Sequence, residues 1–416
     1  MSQNYRLENA GLINRQKKIS FKFNKKKYYG YEGDTLASAL IANGIHLVGR
    51  SFKYHRPRGF FGAGVDEPYA IVQLYRNNET DPNVRATEQE LFEGLEAESV
   101  NCWPNVNFDI GAINNFLRMF FPAGFYYKTF MWPRSFWYKI YEPIIRKAAG
   151  FGKASIKHDK ERYEHKYEYC DILVTGSGPS GLASAYAAAK NGAKVILAEE
   201  KPRFGGSLLT SDVNIGNQTG HEWAEKIISE LKTMPNVIVK NRSQVFGYYD
   251  HNMLVMSERV SDHLPKTDKY IPKQRLWYIR AKEVVISSGS IERPLVFGNN
   301  DTPGVMLSSA AKEYMKIYGV LVGKKPLIFT NNDSGYETAI EFKKNGIDPI
   351  ILDSRKNPKS DIITEAQNLN IKIKYSHVVV AAKGYKKVSS ADIAEISVDK
   401  KNLGKIENIS CDCICV

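Results

Sequence analysis

Three glycines at positions 176, 178 and 181 define the first chemistry this chain can offer. Residues 170–201 read CDILVTGSGPSGLASAYAAAKNGAKVILAEEK, in which Gly176-Ser177-Gly178-Pro179-Ser180-Gly181 has the G-x-G-x-x-G spacing. Each member has a mechanical task. Gly176 permits a tight turn, Gly178 lets a pyrophosphate approach the backbone, and Gly181 lets a helix pack closely on a strand. The N-terminus of the following helix supplies unpaired N–H groups and a partial positive charge for phosphates. Glu199 stands 23 residues after Gly176, where a carboxylate accepts hydrogen bonds from an adenosine ribose.

Those residues need a strand–loop–helix–strand frame, and the sequence supplies its signals. The β-branched, apolar run from Asp171 to Thr175 predicts a buried parallel strand. An Ala-rich helix is expected from about Leu182 to Lys190, stopped by Asn191-Gly192, and a second strand from Lys194 to Ala198 ends at Glu199 and Glu200. RFGGSLL (203–209) adds a Gly-Gly pair shortly after the acid, as in flavoprotein-like proteins with two dinucleotide-binding domains. In VVISSGSIERPLVFGNNDTPGVM (284–306) a strand-and-glycine return is expected, with Gly289 closing against the dinucleotide.

Residues 326–353, PLIFTNNDSGYETAIEFKKNGIDPIILD, repeat the logic in worn form. Strands are expected at about 326–330 and 349–352, a helix at 336–344, and Asp353 takes the acid's place. Of the three glycines only Gly335 survives. Asn332 and Asp333 put side chains, one of them negative, where a pyrophosphate would lie, so the fold should persist while ordinary dinucleotide binding becomes doubtful.

The whole chain is consistent with this. Its 416 residues suffice for two or three domains. A net charge of +13 suits anionic partners of any kind without choosing among them. The N-terminus lacks the apolar core of a secretory signal, and no apolar run reaches the roughly 18 residues of a spanning helix. Five cysteines make a disulfide scaffold improbable, so a reduced, cytoplasmic setting is expected, with no membrane partner. The fold class is α/β: a Rossmann-type region with two dinucleotide-binding domains, preceded by a small ferredoxin-like α+β domain. The expected order is that domain at 1–100, an aromatic and Pro-rich connector at 101–165, the FAD/NAD(P)-binding Rossmann domain at 166–305, and the degenerate second unit, truncated at its end, at 306–416.

Four stretches carry a more specific resemblance. GDTLASALIANGIHLVGRSFKYHRPRG (33–59), AGFYYKTFMWP (123–133), CDILVTGSGPSGLASA (170–185) and SIERPLVFGNNDTPGVML (290–307) together resemble the alpha subunit of heterotetrameric sarcosine oxidase, and the similarity runs along essentially the whole chain. The resemblance implies a dinucleotide domain holding NAD, with FAD as the alternative at the same site. It further implies FMN at the interface with a beta subunit, FAD within that beta subunit, and small subunits completing the hetero-oligomer. The implied reaction oxidises sarcosine to glycine, formaldehyde or 5,10-methylenetetrahydrofolate, and hydrogen peroxide. Carried over residue by residue, Gly176, Gly178, Ser180 and Gly181 match the phosphate turn, and Glu199, Glu200 and Lys201 the segment on the adenosine side. Ser207 follows the Gly-Gly pair, and Val245 matches a strand whose backbone meets the adenine. No catalytic residue and no metal ligand is assigned to this chain. The sequence stops at ENISCDCICV, where the family would continue toward a folate-binding domain, which implies a truncated or split alpha subunit. The alternatives are an alpha subunit of a related amine or amino-acid oxidoreductase (opine oxidase, cyanide synthase or amino-acid dehydrogenase type) and a non-catalytic scaffold.

Three further stretches need a reading. GRSFKYHRPRG (49–59) packs Arg50, Lys53, Arg56, Arg58 and His55 into eleven positions. A [2Fe–2S] loop needs clustered cysteines and none lies between Gly33 and Pro68, so no iron–sulfur cluster is expected. No nucleic-acid partner is expected either, because the dinucleotide signals already account for anion affinity. The loop either packs on the dinucleotide region or the beta subunit, its arginines paired with carboxylates or a cofactor phosphate, or it is simply solvated. The aromatic stretch from Phe116 to Tyr141 is too rich in Arg and Lys to span a membrane, and contact with another domain or subunit is favoured over an interfacial membrane segment. Cys411, Cys413 and Cys415 alternate as small apolar groups in a buried strand would.

Overall fold

The computed structural model describes residues 3–76, 79–122, 124, 130, 132–265, 268, 270–397 and 402–416. The chain forms two compact units, one made of residues 1–157 with 292–416 and the other of residues 158–291.

In the first unit, residues 14–99 build a five-stranded sheet in the order Lys26–Glu32, Asn14–Phe23, Glu96–Ser99, Ile71–Arg76, Glu79–Arg85. Strand Asn14–Phe23 buries every second residue near its end, Ile19, Phe21 and Phe23, as a sheet with one face on a core requires. The helix Leu36–Ala42 lies wholly buried. It starts at Thr35 because the Thr35 hydroxyl accepts from the Ser38 N–H while the Thr35 N–H donates to the Ser38 hydroxyl. The turn after Gly59 is fixed by Glu67, 1% exposed, whose carboxylate accepts from the backbone N–H groups of Phe61, Gly62, Tyr69 and Ala70 at 2.6–3.0 Å. Burial pushes the Glu67 carboxyl up, and those four donors work against the rise.

Residues 292–416 of the same unit carry a parallel sheet in the order Val305–Met306, Cys413–Cys415, Pro326–Thr330, Ile350–Asp353, Lys372–Tyr375. Helices Ser308–Lys316, Ser334–Lys344 and Asp361–Asn368 accompany it. A separate antiparallel sheet comprises His377–Gly384, Val388–Glu395 and Glu407–Ser410. Cys413 and Cys415 lie in the buried strand their alternation suggests, whereas Cys411 falls in the link that precedes it; all three are 3% exposed or less. Burial pushes the Cys411 thiol up to about 12.

The two segments of this unit are stitched together. Arg6 pairs bidentately with the buried Asp34 and also donates to the Tyr318 carbonyl. The Tyr314 hydroxyl donates to the Gly62 carbonyl at 3.0 Å.

The second unit is a six-stranded sheet in the order Val237–Lys240, Val195–Ala198, Tyr163–Thr175, Gln274–Ile286, Met253–Arg259, Ser243–Tyr249. Its first four strands are parallel and the last two continue it antiparallel. Helices Pro179–Lys190 and Gly220–Thr233 pack through Leu182, Ala185, Ile227, Ile228 and Leu231 onto Val174, Val195 and Leu197. On the other face Leu173, Ile196, Leu254, Met256, Trp277 and Ile279 form a second core. Side chains of this size each contribute about 1.5–3 kcal/mol when fully buried.

Two bounds differ from expectation for physical reasons. The first strand begins at Tyr163, inside the expected connector, because residues 163–170 pair in register with 274–281, far away in sequence. The helix begins at Pro179, since proline's fixed φ suits the first helical position and its missing N–H is not needed there.

Among the described residues no helix is long and apolar enough to cross a membrane. The aromatic stretch from Phe116 to Tyr141 lies partly outside the described residues; of its described aromatics, Phe116, Phe120, Trp132, Phe136 and Tyr138 are exposed on this chain and Phe121, Phe130, Trp137 and Tyr141 are half-buried.

Candidate dinucleotide site

The glycine loop divides its three glycines between two duties. Gly176 has φ +95°, donates its N–H to the Ala198 carbonyl at 2.8 Å, and a methyl placed on it would lie 2.3 Å from the Ser287 carbonyl oxygen. A methyl on Gly181 would lie 1.9 Å from the Gly176 carbonyl oxygen. Both are therefore required by the protein's own close packing. Gly178 is different: nothing stands within 4 Å of the position its Cβ would take. It caps the twelve-residue helix Pro179–Lys190 with extended backbone and no side-chain cap, so the first-turn amides face an open approach. Ser180, in that first turn, is exposed.

Glu199 is only 6% exposed. Its Oε2 accepts from the Ser177 N–H at 2.9 Å and from the Ser177 hydroxyl at 2.6 Å, and its Oε1 accepts from the Lys201 N–H at 2.9 Å. The Gly205 N–H in turn donates to the Ser177 carbonyl and hydroxyl oxygens. One carboxylate thus ties the glycine loop to the Gly-Gly turn, where the Gly206 Cβ position lies 2.9 Å from the Gly178 Cα.

The other sequence-expected residues gather at this end of the sheet. Glu200 and Lys201 follow Glu199 and are half-buried, and Ser207 is exposed in the short helix Gly206–Leu209. The Ser243 N–H donates to the Glu199 carbonyl at 2.8 Å, which brings Val245, two residues on and half-buried, to the same side. Ser177 was not singled out in the sequence, although a hydroxyl between two loop glycines is the signal that could have marked it. Gly289 lies in open space with φ +71°, and the backbone that closes on Gly176 belongs to Ser287.

The worn second unit has the same frame with its acid already engaged. Gly335 survives because its Cβ position lies 2.7 Å from the Thr330 side chain. Asp353, fully buried, accepts from the Tyr336 hydroxyl at 2.7 Å and from the Arg355 backbone and guanidinium at 2.8–3.0 Å. Arg355 also pairs with Asp333 at 2.8 Å. Hydrogen bonding to Asp353 raises the Arg355 pKa, and burial followed by the bond to Asp353 raises that of Tyr336. The Asp353 carboxylate has no free edge for a sugar.

The basic loop is held by its own unit. Arg50, 3% exposed, donates to the carbonyls of Val106 and His55 and to the Tyr385 hydroxyl. Arg56 and Arg58 share Asp301, one on each carboxylate oxygen. Lys53 donates to the Pro122 carbonyl, and His55 Nδ1 lies 2.7 Å from Asp109. The loop therefore packs within its own unit, on carbonyls and a carboxylate of residues 106–122 and on Asp301 and Tyr385 of the 292–416 segment.

A sheet with its glycine loop at a helix N-terminus, followed by a second unit of the same build, defines the flavoprotein-like oxidoreductase class. Residues 171–245 match the family described as FAD dependent oxidoreductase, and residues 16–102 match the 2Fe-2S iron-sulfur cluster binding domain. The chain is homologous to sarcosine oxidase alpha subunits. It is 48% identical over 390 residues to sarcosine oxidase subunit alpha of Rhizobium meliloti (strain 1021), covering 94% of this chain and 39% of that protein. It is 31% identical to the subunit alpha of Corynebacterium sp. (strain P-1), covering 100% of this chain and 39% of that protein. The chain thus spans about two fifths of the length of these relatives. Among solved structures, L-proline dehydrogenase from P. horikoshii superposes with TM-score 0.63 at 19% identity, over 99% of this chain and 61% of that one, a likeness of fold.

The match of residues 16–102 corrects one expectation. The amino-terminal domain is of the iron–sulfur cluster binding type, against the expectation of no cluster. Counting cysteines between Gly33 and Pro68 surveys one loop, whereas the match extends over residues 16–102. Cys102 is the cysteine this span supplies, where four thiolates are the usual set. Its thiol is pushed up to about 11, chiefly by burial.

Proposed function

We propose that this chain is the dinucleotide-holding alpha component of a sarcosine oxidase-like complex. In this reading a separate flavin-bearing beta subunit performs the oxidation at the C–N bond of sarcosine, releasing glycine, formaldehyde and hydrogen peroxide in the cytoplasm. The observation that supports it most directly is the open space at Gly178 beside the uncapped first turn of the helix Pro179–Lys190.

An adenine dinucleotide, NAD or FAD, is the fitting occupant. Its two phosphates lie over Gly178 and take the amides of Ser180 and Gly181, assisted by the helix dipole. Gly176 and Gly181 keep the loop close enough to strand and return segment for that approach. Glu199 holds Ser177 and so the loop's shape, while its edge, with Glu200 and Lys201, meets the ribose. The backbone at Val245 borders the adenine, and Ser207 borders the pyrophosphate from the Gly-Gly turn. When bound, the dinucleotide supplies hydride-transfer chemistry or a structural brace. No acid, base or nucleophile of this chain takes part in breaking the C–N bond.

The test is to release small molecules from the purified protein with acid and identify them, then to titrate the stripped protein with NAD and FAD. One equivalent of one of them, released or rebound, is expected. A protein that releases neither and binds neither at saturating concentration would overturn the reading.

A further inference from the structure

A second site lies in the unit formed by residues 1–157 and 292–416. Arg56, Asn115, Arg118, Asp301, Thr302 and Tyr385 line a pocket of roughly 140 Å³ there. That space accepts a phosphate or a two- to three-carbon acid, and it is too small for a nucleotide. Two guanidinium groups and one carboxylate line it: Arg56 shares Asp301 with Arg58, which lies behind the wall, while the Arg118 guanidinium has no ion-pair or hydrogen-bond partner among the described residues. The wall is therefore cationic even after its internal pairing. The Tyr385 hydroxyl accepts from Arg50 at 3.0 Å, which leaves its own proton to donate into the pocket. Asn115 supplies the complementary feature: its Oδ1 is buried without a hydrogen-bond partner. A buried amide oxygen left unmatched is costly, and a ligand that donates to it removes the cost.

We propose that this pocket binds a small oxyanion that also carries a hydrogen-bond donor, such as a phosphate monoanion or a hydroxy acid. Arg118 and Arg56 hold the charge, the Tyr385 hydroxyl donates to it, and Asn115 Oδ1 accepts from the ligand's own hydroxyl. The inference does not depend on the dinucleotide reading, since none of its residues belongs to the unit of residues 158–291.

Calorimetric titrations of the full chain with inorganic phosphate, glycolate and acetate test it. Phosphate and glycolate are expected to bind, and acetate, which has no donor, at least fivefold more weakly than glycolate. Arg118→Ala should weaken phosphate tenfold or more while the unfolding midpoint stays at the wild-type value, because Arg118 is exposed and contacts no internal partner. Asn115→Leu should reduce glycolate to the level of acetate. The proposal is overturned if neither phosphate nor glycolate binds, if Arg118→Ala binds phosphate as the wild type does, or if acetate and glycolate bind equally.

Discussion

Ser177 donates both its backbone N–H and its hydroxyl to a single oxygen of Glu199, at 2.9 and 2.6 Å. The acid at the strand's tip is thus part of the loop's skeleton before any sugar reaches it. Ser177→Ala removes one of these donors inside a buried cluster and should cost about 1–3 kcal/mol of stability. It should also weaken adenine dinucleotide binding about tenfold, because the loop loses its brace. Denaturant unfolding and a dinucleotide titration check the two effects separately.

Gly178 and Gly181 should respond oppositely to the same methyl group. Gly178→Ala enters open space on backbone that an L-residue adopts without strain, so the fold should keep its stability while dinucleotide binding falls tenfold or more. Gly181→Ala meets a carbonyl oxygen at 1.9 Å and should destabilise the fold by about 1–3 kcal/mol or more. Equal binding by wild type and Gly178→Ala would remove the phosphate from this loop.

Asp301→Asn tests what holds the basic loop. It leaves Arg56 and Arg58, each less than a third exposed, without their shared carboxylate. A loss of about 1–3 kcal/mol is expected, smaller at high salt because a partly buried cluster is still partly screened. Thermal unfolding at low and high ionic strength measures it, and a variant as stable as wild type at low salt would show that the loop is anchored otherwise.

Acid sensitivity should run through His46. Burial, with Lys387 adding repulsion, depresses its pKa from 6.5 to about 3, and its Nε2 is buried without a partner. The unfolded chain therefore binds a proton between pH 6.5 and about 3 that the folded chain refuses. Stability from this group is complete above pH 6.5 and falls by up to about 1.4 kcal/mol per pH unit below it. His46→Gln should flatten that limb of the stability–pH curve, and an unchanged slope would assign the acid sensitivity elsewhere.

The legible part of this protein was local. Gly181 and the surviving Gly335 are demanded by groups five residues earlier in their own turns, Gly176 and Thr330, so the motif spacing carries them; the neighbour that constrains Gly176 is Ser287, which no local pattern announces. The alternation of Cys413 and Cys415 marks a buried strand, though it does not reach Cys411, and the strand's insertion between Val305–Met306 and Pro326–Thr330 is a long-range pairing that no periodicity encodes. The extension of the first strand back to Tyr163 is likewise written in residues 274–281. The inward turn of Glu199 depends on donors from both Ser177 and Lys201, and the partner of Arg56 and Arg58 lies in another segment altogether. The iron–sulfur family match of the first domain extends over residues 16–102, which a tally of cysteines in one loop does not sample.

The stitching of residues 1–157 to 292–416 around an intervening unit has a consequence for biosynthesis. Arg58 leaves the ribosome 243 residues ahead of Asp301. At roughly 5–20 residues per second, that is a delay of about 10–50 s during which the nascent cationic loop waits without its counter-charge. The intervening unit can close meanwhile, so the segment translated first completes its tertiary docking last.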